Sequence, residues 1–262
     1  MKPAAFEYHR ARSVAGAVEL LTELGDDAKV LAGGQSLVAM MNFRLARPEH
    51  LVDITHLRDE DGLAGTERRG DALHVGALTT HHAVERADLG REYRILSDAM
   101  AHVGHLPIRT RGTVGGSIAH ADATAEWCLL AVLLDAQIVA QGPAGRRRIA
   151  AADFFHGPFW TDLEPDEVIV EVVFPRPAPR TALVEYADRR GDFAIAAAAV
   201  DLDTDRVVLG GVGPVPVRLD ATTPDQAADG LDLRDEPGVS AHYRRGLVRT
   251  LVNRAREEAR TR

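Results

Sequence analysis

Two widely separated glycine-rich stretches constrain the fold of this chain more than any other feature of its sequence. The first is Ala32-Gly33-Gly34-Gln35-Ser36-Leu37, and the second is Gly112-Thr113-Val114-Gly115-Gly116-Ser117. Adjacent glycines permit positive φ and carry no Cβ, so the backbone turns sharply and approaches a ligand closely. Successive N–H groups in such turns form an anion-binding nest, and neighbouring hydroxyls add further donors. Two nests suit a ligand with two linked phosphates, although a Gly-Gly pair alone is usually only a turn.

The composition excludes several classes of protein. The chain has 262 residues, 45% of them apolar, and a net charge of -8. It can bury a full core, but it lacks the basic surface that nucleic acids or anionic membranes require. Its single cysteine, Cys128, excludes an internal disulfide and any cysteine-ligated iron–sulfur cluster. The longest apolar run, 193–200, is too short for membrane insertion. We therefore expect a cytoplasmic globular protein.

The apolar pattern predicts an α+β protein that begins with a small unit over residues 1–55. Ser13 is the predicted N-cap of a helix with a 3.6-residue apolar period, and Gly25 ends it. Short strands are predicted over 29–32 and 51–54. The first glycine stretch lies between these strands and leads into a short helix.

A second unit is predicted over residues 56–177 and a third over 178–262, separated by prolines at 175, 177 and 179. The second unit contains strands over 72–77 and 167–174, helices after Thr79, over 95–103 and over 123–134, and a hairpin around 142–145. The third contains antiparallel strands over 182–186, 194–202 and 206–212, a short helix after Thr223, and a closing helix over 241–260. The apolar face predicted for the closing helix consists of Tyr243, Leu247, Leu251 and Ala255.

The histidines and the cysteine suggest alternatives to a phosphate-binding protein. The histidines at 81, 82, 102, 105 and 120 invite a metal site, but no cysteine or carboxylate pair completes a four-ligand set. Surface or capping roles are the better interpretation, and we expect no metal. Cys128 lies among apolar residues of a predicted helix, which is typical of a buried thiol rather than a nucleophile. No serine nucleophile elbow and no Rossmann fingerprint is found.

Six groups of residues, taken together in order along the whole chain, resemble one family. The chain resembles the FAD-binding medium subunits of molybdenum hydroxylases of the carbon-monoxide-dehydrogenase and xanthine-dehydrogenase type. The residues that carry this resemblance are Leu31 to Leu37 with Arg44 to Pro48 and Leu51 to Ile54; Gly76 to Thr80; Arg109 to Ser117; Ala119 to Asp122; Asp153 to Phe155; and Gly191 to Ala194, with Tyr243 to Ala255 also fitting.

The resemblance implies a fold, a cofactor and a set of contacts. The fold would be a vanillyl-alcohol-oxidase (PCMH)-type FAD-binding domain of two α+β subdomains, plus a C-terminal α+β domain with a small antiparallel sheet. FAD would lie between the subdomains, with one of two acidic side chains hydrogen-bonding ribityl or ribose hydroxyls and Glu126 favoured for the adenosine end. The implied cofactor-binding residues are Ala32, Gly33, Gly34, Gln35, Ser36, Leu37, Thr113, Gly115, Gly116, Ser117, Asp122 and Glu126.

Two positions depart from the family pattern. Glu185 stands where many relatives have a lysine near the flavin, and loss of that cation would change the flavin potential. Phe193 stands where carbon-monoxide-dehydrogenase relatives have a tyrosine, so the ring remains without its hydroxyl. Neither departure removes a residue of the two glycine stretches.

The leading hypothesis is an FAD-binding electron-transfer subunit of a heteromeric molybdenum hydroxylase. It would need a molybdopterin-binding large subunit and an iron–sulfur small subunit, since this chain lacks the cysteines for such clusters. No side chain would act as a catalytic acid, base or nucleophile, and the final acceptor (NAD, a quinone or oxygen) stays open. One alternative is a stand-alone FAD-dependent oxidoreductase acting on a small organic substrate. Another is a flavin-free binding or assembly protein, which the two glycine stretches disfavour.

Overall fold

A computed structural model describes residues 2–60 and 62–262 of the chain, beginning with a parallel three-stranded sheet. Ser13 caps the first helix by accepting a hydrogen bond from the Gly16 N–H at 3.0 Å, and Gly25 ends it with φ of 64°, both as predicted. The sheet order is β1-β3-β2, and the edge strand β1 was not predicted. The elements are β1 (Glu7–Arg10), α1 (Val14–Leu24), β2 (Ala28–Leu31), α2 (Leu37–Asn42) and β3 (His50–Asp53).

A five-stranded antiparallel sheet follows, and its most apolar strand lies at the centre, where both faces are covered. The predicted hairpin is confirmed, with Gly142 opposite Gly145. The strands in sheet order are β4 (Thr66–Arg69), β5 (Ala72–Gly76), β10 (Val168–Phe174), β6 (Gln137–Gly142) and β7 (Gly145–Ala150). The helices are α3 (His81–Arg86), α4 (Arg94–Ala99), α5 (Leu106–Arg109), α6 (Val114–His120), α7 (Glu126–Leu133) and α8 (Ala151–Phe154), and a small hairpin is formed by β8 (Phe155–Gly157) and β9 (Trp160–Thr161).

The third sheet is antiparallel with four strands in sequential order; the first three were predicted and the fourth, Val217–Asp220, was not. The closing helix has the predicted bounds, and Leu251 and Ala255 of its predicted apolar face are buried. Val248 and Val252 are buried as well, whereas Tyr243 is 45% exposed. The elements are β11 (Thr181–Tyr186), β12 (Ala196–Asp201), β13 (Arg206–Gly210), β14 (Val217–Asp220), α9 (Pro224–Asp229) and α10 (Ala241–Arg260).

The alanine-rich strand β12 packs on both faces and joins the third sheet to the rest of the molecule. Ala197 and Ala199 belong to the core that contains helix α7, whereas Ala196, Ala198 and Val200 belong to the core beneath helix α10. Successive strand residues point to opposite faces, so this alternation follows directly from the strand geometry. Small side chains on both faces let two helical layers approach the same strand.

Three predicted local features differ in the structure. Thr80 rather than Thr79 caps α3, because the Thr79 hydroxyl is bonded to the backbone of Gly65. Helix α4 ends at Ala99 instead of residue 103, and Gly104 with φ of 46° turns the chain beyond it. The second glycine stretch, predicted as a loop, starts helix α6 with Thr113 as its N-cap.

Among residues 2–60 and 62–262, every helix is too short or too polar to span a bilayer. Cys128 is fully buried, as expected, and burial raises the pKa of its thiol well above the ordinary value.

The segment between the second and third sheets is fixed by one buried ion pair. The Arg176 guanidinium contacts the Asp201 carboxylate at 2.5 Å, and the Asp201 side chain is 0% exposed. We expect Arg176→Met to lower the free energy of unfolding by about 2 kcal/mol, because it leaves a buried carboxylate without its cation. Arg180→Met, which removes only an exposed pair with Asp203, is the matched control with a change of about 0.5 kcal/mol. Equal denaturation midpoints for the two variants would contradict this role of the pair.

Candidate functional site

A cavity of about 610 Å³ is lined by segments from each of the three predicted units. Its walls come from the two glycine stretches, the segment 119–126, the β8–β9 hairpin and the loop 191–194. Of the twelve residues predicted to form a site, all except Gly34 line this cavity. The predicted residues that line it are Ala32, Gly33, Gln35, Ser36, Leu37, Thr113, Gly115, Gly116, Ser117, Asp122 and Glu126.

The two glycine stretches touch each other backbone to backbone. A Cβ at Gly33 would lie 2.3 Å from the Arg111 carbonyl oxygen and 2.8 Å from the Gly112 Cα, which no side chain could tolerate. Gly34 instead has φ of 73° and turns the chain. One glycine therefore provides close approach and the other provides the turn that starts α2.

The first stretch leaves backbone donors unused. Within the described ranges 2–60 and 62–262, no acceptor is found for the N–H groups of Gly33, Gly34, Gln35 and Ser36. The Gln35 side chain donates to the Gly33 carbonyl oxygen at 3.0 Å, which braces the turn. Backbone donors in native proteins are nearly always paired, so a row of free ones beside a cavity indicates an anionic or acceptor-rich ligand.

The second stretch has five of its six amides hydrogen-bonded within the part of the chain that the structure describes, all except that of Thr113, and the prediction that it forms a nest is wrong. The N–H groups of Val114 and Gly115 donate to the carbonyl oxygens of Thr79 and Ala77 at 3.0 and 2.8 Å. The Gly116 N–H donates to the Thr113 hydroxyl at 3.1 Å, which is an ordinary helix N-cap. A Cβ at Gly115 would lie 2.6 Å from that of Ala77, so this glycine serves packing.

Acidic side chains predominate around the cavity. Its described lining includes five carboxylates and Lys29 as its one lysine or arginine. An anionic ligand would therefore be bound by the amide dipoles of the first stretch rather than by side-chain cations. The carboxylates are those of Asp122, Glu126, Glu164, Glu167 and Asp192.

Asp122 and Glu126, the two predicted acidic contacts, are distinguished by the hydrogen bonds of the first carboxyl group and by the raised pKa of the second. One oxygen of Asp122 accepts from the Thr124 N–H and hydroxyl at 2.8 and 2.7 Å, which fixes the orientation of the carboxylate. Burial, followed by the negative charge of Glu185, raises the pKa of Glu126 to about 8. Glu185 does not line the cavity; its carboxylate lies 3.3 Å from the His102 imidazole, and this contact raises the pKa of His102. Glu126 thus holds a proton at neutral pH.

His81 is buried beside the second stretch, so the expectation of a surface or capping role is wrong for this histidine. Its Nδ1 accepts from the Trp127 indole at 3.0 Å, which places the imidazole proton on Nε2 because indole can only donate. Burial lowers the pKa of His81 to about 4, so the ring is neutral. Its contact with Trp127 arises only in the folded protein, and no local pattern indicates it.

Aromatic rings surround the open side of the cavity, and the sequence interpretation identified only one of them. Phe159, Trp160 and Phe193 line the cavity yet are 57, 65 and 69% exposed. The Phe159 ring packs against His120, with 4.8 Å between centroids, and has φ of 57°. The turn signal at Gly157 and Pro158 before two aromatic residues could have indicated that these rings project from a hairpin.

Comparisons with known proteins agree with this architecture. Residues 4–177 match the family model described as the FAD binding domain in molybdopterin dehydrogenase. The chain is similar to the alpha subunit of the 6-hydroxypseudooxynicotine dehydrogenase complex of Paenarthrobacter nicotinovorans, at 38% identity over 99% of this chain and 96% of that protein. It is also 40% identical to the medium chain of carbon monoxide dehydrogenase of Afipia carboxidovorans, over 77% of this chain and 70% of that one.

A solved structure of carbon monoxide dehydrogenase from Hydrogenophaga pseudoflava, which lacks the Mo-pyranopterin moiety of its molybdenum cofactor, superposes with a TM-score of 0.91. The two chains share 32% identity, and the match covers 100% of this chain and 99% of that one. Both sequence relatives are subunits of larger enzymes, so the comparisons give no support to a stand-alone oxidoreductase.

The raised pKa of Glu126 makes stability depend on pH. Between pH 4.5 and about 8 the folded protein keeps a proton on Glu126 that the unfolded chain has already released. The stabilisation of the folded state by this proton is full below that window and is lost as the pH rises through it. We expect Glu126→Gln to gain stability relative to the parent chain across the window, with a slope of up to about 1.4 kcal/mol per pH unit.

Denaturant midpoints of the cofactor-free protein at pH 5, 7 and 9 measure this effect. Glu164→Gln, which changes an exposed carboxyl of the same cavity, is the control and should follow the parent chain. If the denaturant midpoints of Glu126→Gln and of the parent change with pH in the same way, the Glu126 carboxyl is already ionised in the folded protein.

Proposed function

The chain belongs to the family of FAD-binding domains of molybdopterin dehydrogenases, and from this premise we propose that it is the FAD-binding electron-transfer subunit of a heteromeric molybdenum hydroxylase. The observation that carries the proposal is a set of amides on the cavity wall, at Gly33, Gln35 and Ser36, for which the described part of the chain provides no acceptor. These neutral donors suit the pyrophosphate of FAD, and the cavity is within the usual size range of cofactor sites.

The residues of the cavity divide the binding of FAD between them. Residues 32–37 hold the pyrophosphate and the adjoining flavin side through backbone amides. In the second stretch the hydroxyls of Thr113 and Ser117, rather than amides, complete the cradle, since the Thr113 oxygen accepts from Gly116 and still has a proton to donate. Asp122 or Glu126 bonds to ribityl or ribose hydroxyls, with Glu126 at the adenosine end.

The protonated state of Glu126 refines that assignment. A neutral carboxylic acid donates one hydrogen bond and accepts others, whereas the carboxylate of Asp122 only accepts. Near the acidic group Glu185, a neutral Glu126 also avoids adding a second negative charge to a buried position. The bound flavin supplies the redox chemistry, while the chain positions it and sets its potential through surrounding charges and donors.

The electron-transfer role requires partner subunits. The one cysteine is fully buried, so this chain has no thiolate set for an iron–sulfur cluster. We assign the clusters to a small subunit and the molybdopterin centre to a large subunit. The names of the relatives, one a subunit of a complex and the other a medium chain, support this assignment. The buried reduced thiol fits a cytoplasmic location.

We also assign the subdomains of the family fold to this chain. The vanillyl-alcohol-oxidase-type FAD domain comprises subdomains at residues 1–55 and 56–177, followed by a C-terminal domain at 178–262. The extent of the family match, which ends at residue 177, supports the second boundary. The separate parallel sheet of residues 7–53 supports the first.

FAD binding is tested by the visible spectrum of the purified chain, with and without added FAD, followed by heat release of the cofactor. Stoichiometric release of FAD supports the proposal. A colourless protein that takes up FAD also supports it, whereas one that rejects FAD contradicts the assignment of the cavity. Co-purification with molybdopterin and iron–sulfur subunits tests the partners separately.

Gly33→Ala tests the contact between the glycine stretches. We expect FAD affinity to fall by at least about tenfold, because the new methyl forces apart the backbones that shape the cradle. Gly246→Ala, at an open position of helix α10, is the control and should retain FAD. Ser117→Ala keeps the packing but removes a hydroxyl from the cavity wall. It therefore provides a second test of FAD affinity if Gly33→Ala fails to fold. Unchanged affinity in both site variants would contradict the cradle.

A further inference from the structure

Three potential metal ligands converge on the first sheet, away from the cavity. Glu7 and His9 lie on β1, and His50 lies on the neighbouring strand β3, in register with Glu7. Residues two apart on a strand project from the same face, which places Glu7 and His9 on one side. Within residues 2–60 and 62–262 this is the one group of three or more such side chains close enough to share an ion.

The spacing of the three ligand atoms matches the size of a single ion. The distance from His9 Nε2 to His50 Nδ1 is 3.1 Å, and the Glu7 Oε2 atom lies 3.8 and 3.4 Å from these two nitrogens. A triangle with these sides has a centre about 2.0 Å from every corner, which is the distance at which Zn²⁺ binds imidazole nitrogen and carboxylate oxygen.

The chemistry of the three groups also favours a cation. A carboxylate only accepts hydrogen bonds, and at most one of the two facing nitrogens in a neutral histidine pair carries a proton. At least two of the three ligand atoms therefore carry a lone pair, and all three lie within 3.8 Å of one another. The imidazoles are 25 and 21% exposed, whereas the Glu7 side chain is 74% exposed, which leaves a solvent-facing position for a water ligand.

We propose that Glu7, His9 and His50 bind one Zn²⁺ ion, with water completing the coordination. Two imidazoles and one carboxylate are common zinc ligands, and Zn²⁺ imposes no strict geometry of its own. The ion would join the edge strand β1 to β3 and so stabilise the start of the chain. None of its three ligands lines the cavity.

The test uses the full chain without an affinity tag, stripped of metal by a chelator that is then removed. Zinc chloride is titrated by calorimetry, and Co²⁺ provides a visible ligand-field spectrum. We expect one equivalent of Zn²⁺ to bind, and at least tenfold weaker binding in His9→Gln and in His50→Gln. His156→Gln, which alters a histidine paired with Asp162 outside the group, is the matched control.

Thermal unfolding gives a second readout. Zn²⁺ should raise the midpoint of the parent chain and of His156→Gln, but not that of His9→Gln or His50→Gln. Glu7→Gln, at an exposed position, keeps the fold if a histidine variant is unstable and should also weaken binding. Absence of stoichiometric Zn²⁺ binding, or equal affinity in the parent chain and the histidine variants, would overturn the proposal.

Discussion

The architecture of the cavity depends on one contact, the approach of Gly33 to the backbone of Arg111 and Gly112. A Cβ would reach 2.3 Å from a carbonyl oxygen there, so only glycine allows the two chain segments to meet. The contact joins the parallel sheet of residues 7–53 to the antiparallel sheet that follows it. It also sets the separation between the free amides of residues 33–36 and the hydroxyls of Thr113 and Ser117 across the cavity.

Two stretches of similar composition perform different tasks. In the first, the glycines expose donors, and in the second they let helix α6 pack against Ala77 while its amides bind Thr79 and Ala77. The sequence alone could not separate these outcomes, because two of the acceptors that engage the second stretch, Thr79 and Ala77, lie more than thirty residues away. A glycine pair predicts where the backbone comes close to something, but not whether that neighbour is protein or ligand.

Much of the local structure could be predicted from the sequence. Ser13 and Gly25 bound the first helix, Gly142 and Gly145 define the hairpin, and the last helix has its expected limits. These features depend on caps, turns and periodicity, which act over a few residues. The family resemblance predicted the cofactor, and all but one of the twelve site residues that it implied line the cavity.

What the sequence missed depends on tertiary contacts. His81 is neutral because burial, followed by the positive charge of Arg109, lowers its pKa, and Glu126 is protonated because the folded chain buries it near Glu185. The buried face of helix α10 includes Val248 and Val252 beside the expected Leu251 and Ala255, because these residues share one core with strand β12. The cluster of Glu7 and the two histidines likewise exists only once β1 pairs with β3.

The use of amides rather than lysines or arginines at the cavity has a consequence for how firmly an anion is retained in different buffers. Mobile ions screen exposed charges over about 8 Å at physiological ionic strength, but they act weakly on enclosed dipoles. A pyrophosphate bound by basic side chains would be released by concentrated salt, as counter-ions compete for each cation. In the proposed site the first stretch offers N–H groups in a cavity whose described lining has a single lysine, so retention of the pyrophosphate would depend on the geometry of the turn and change little with ionic strength.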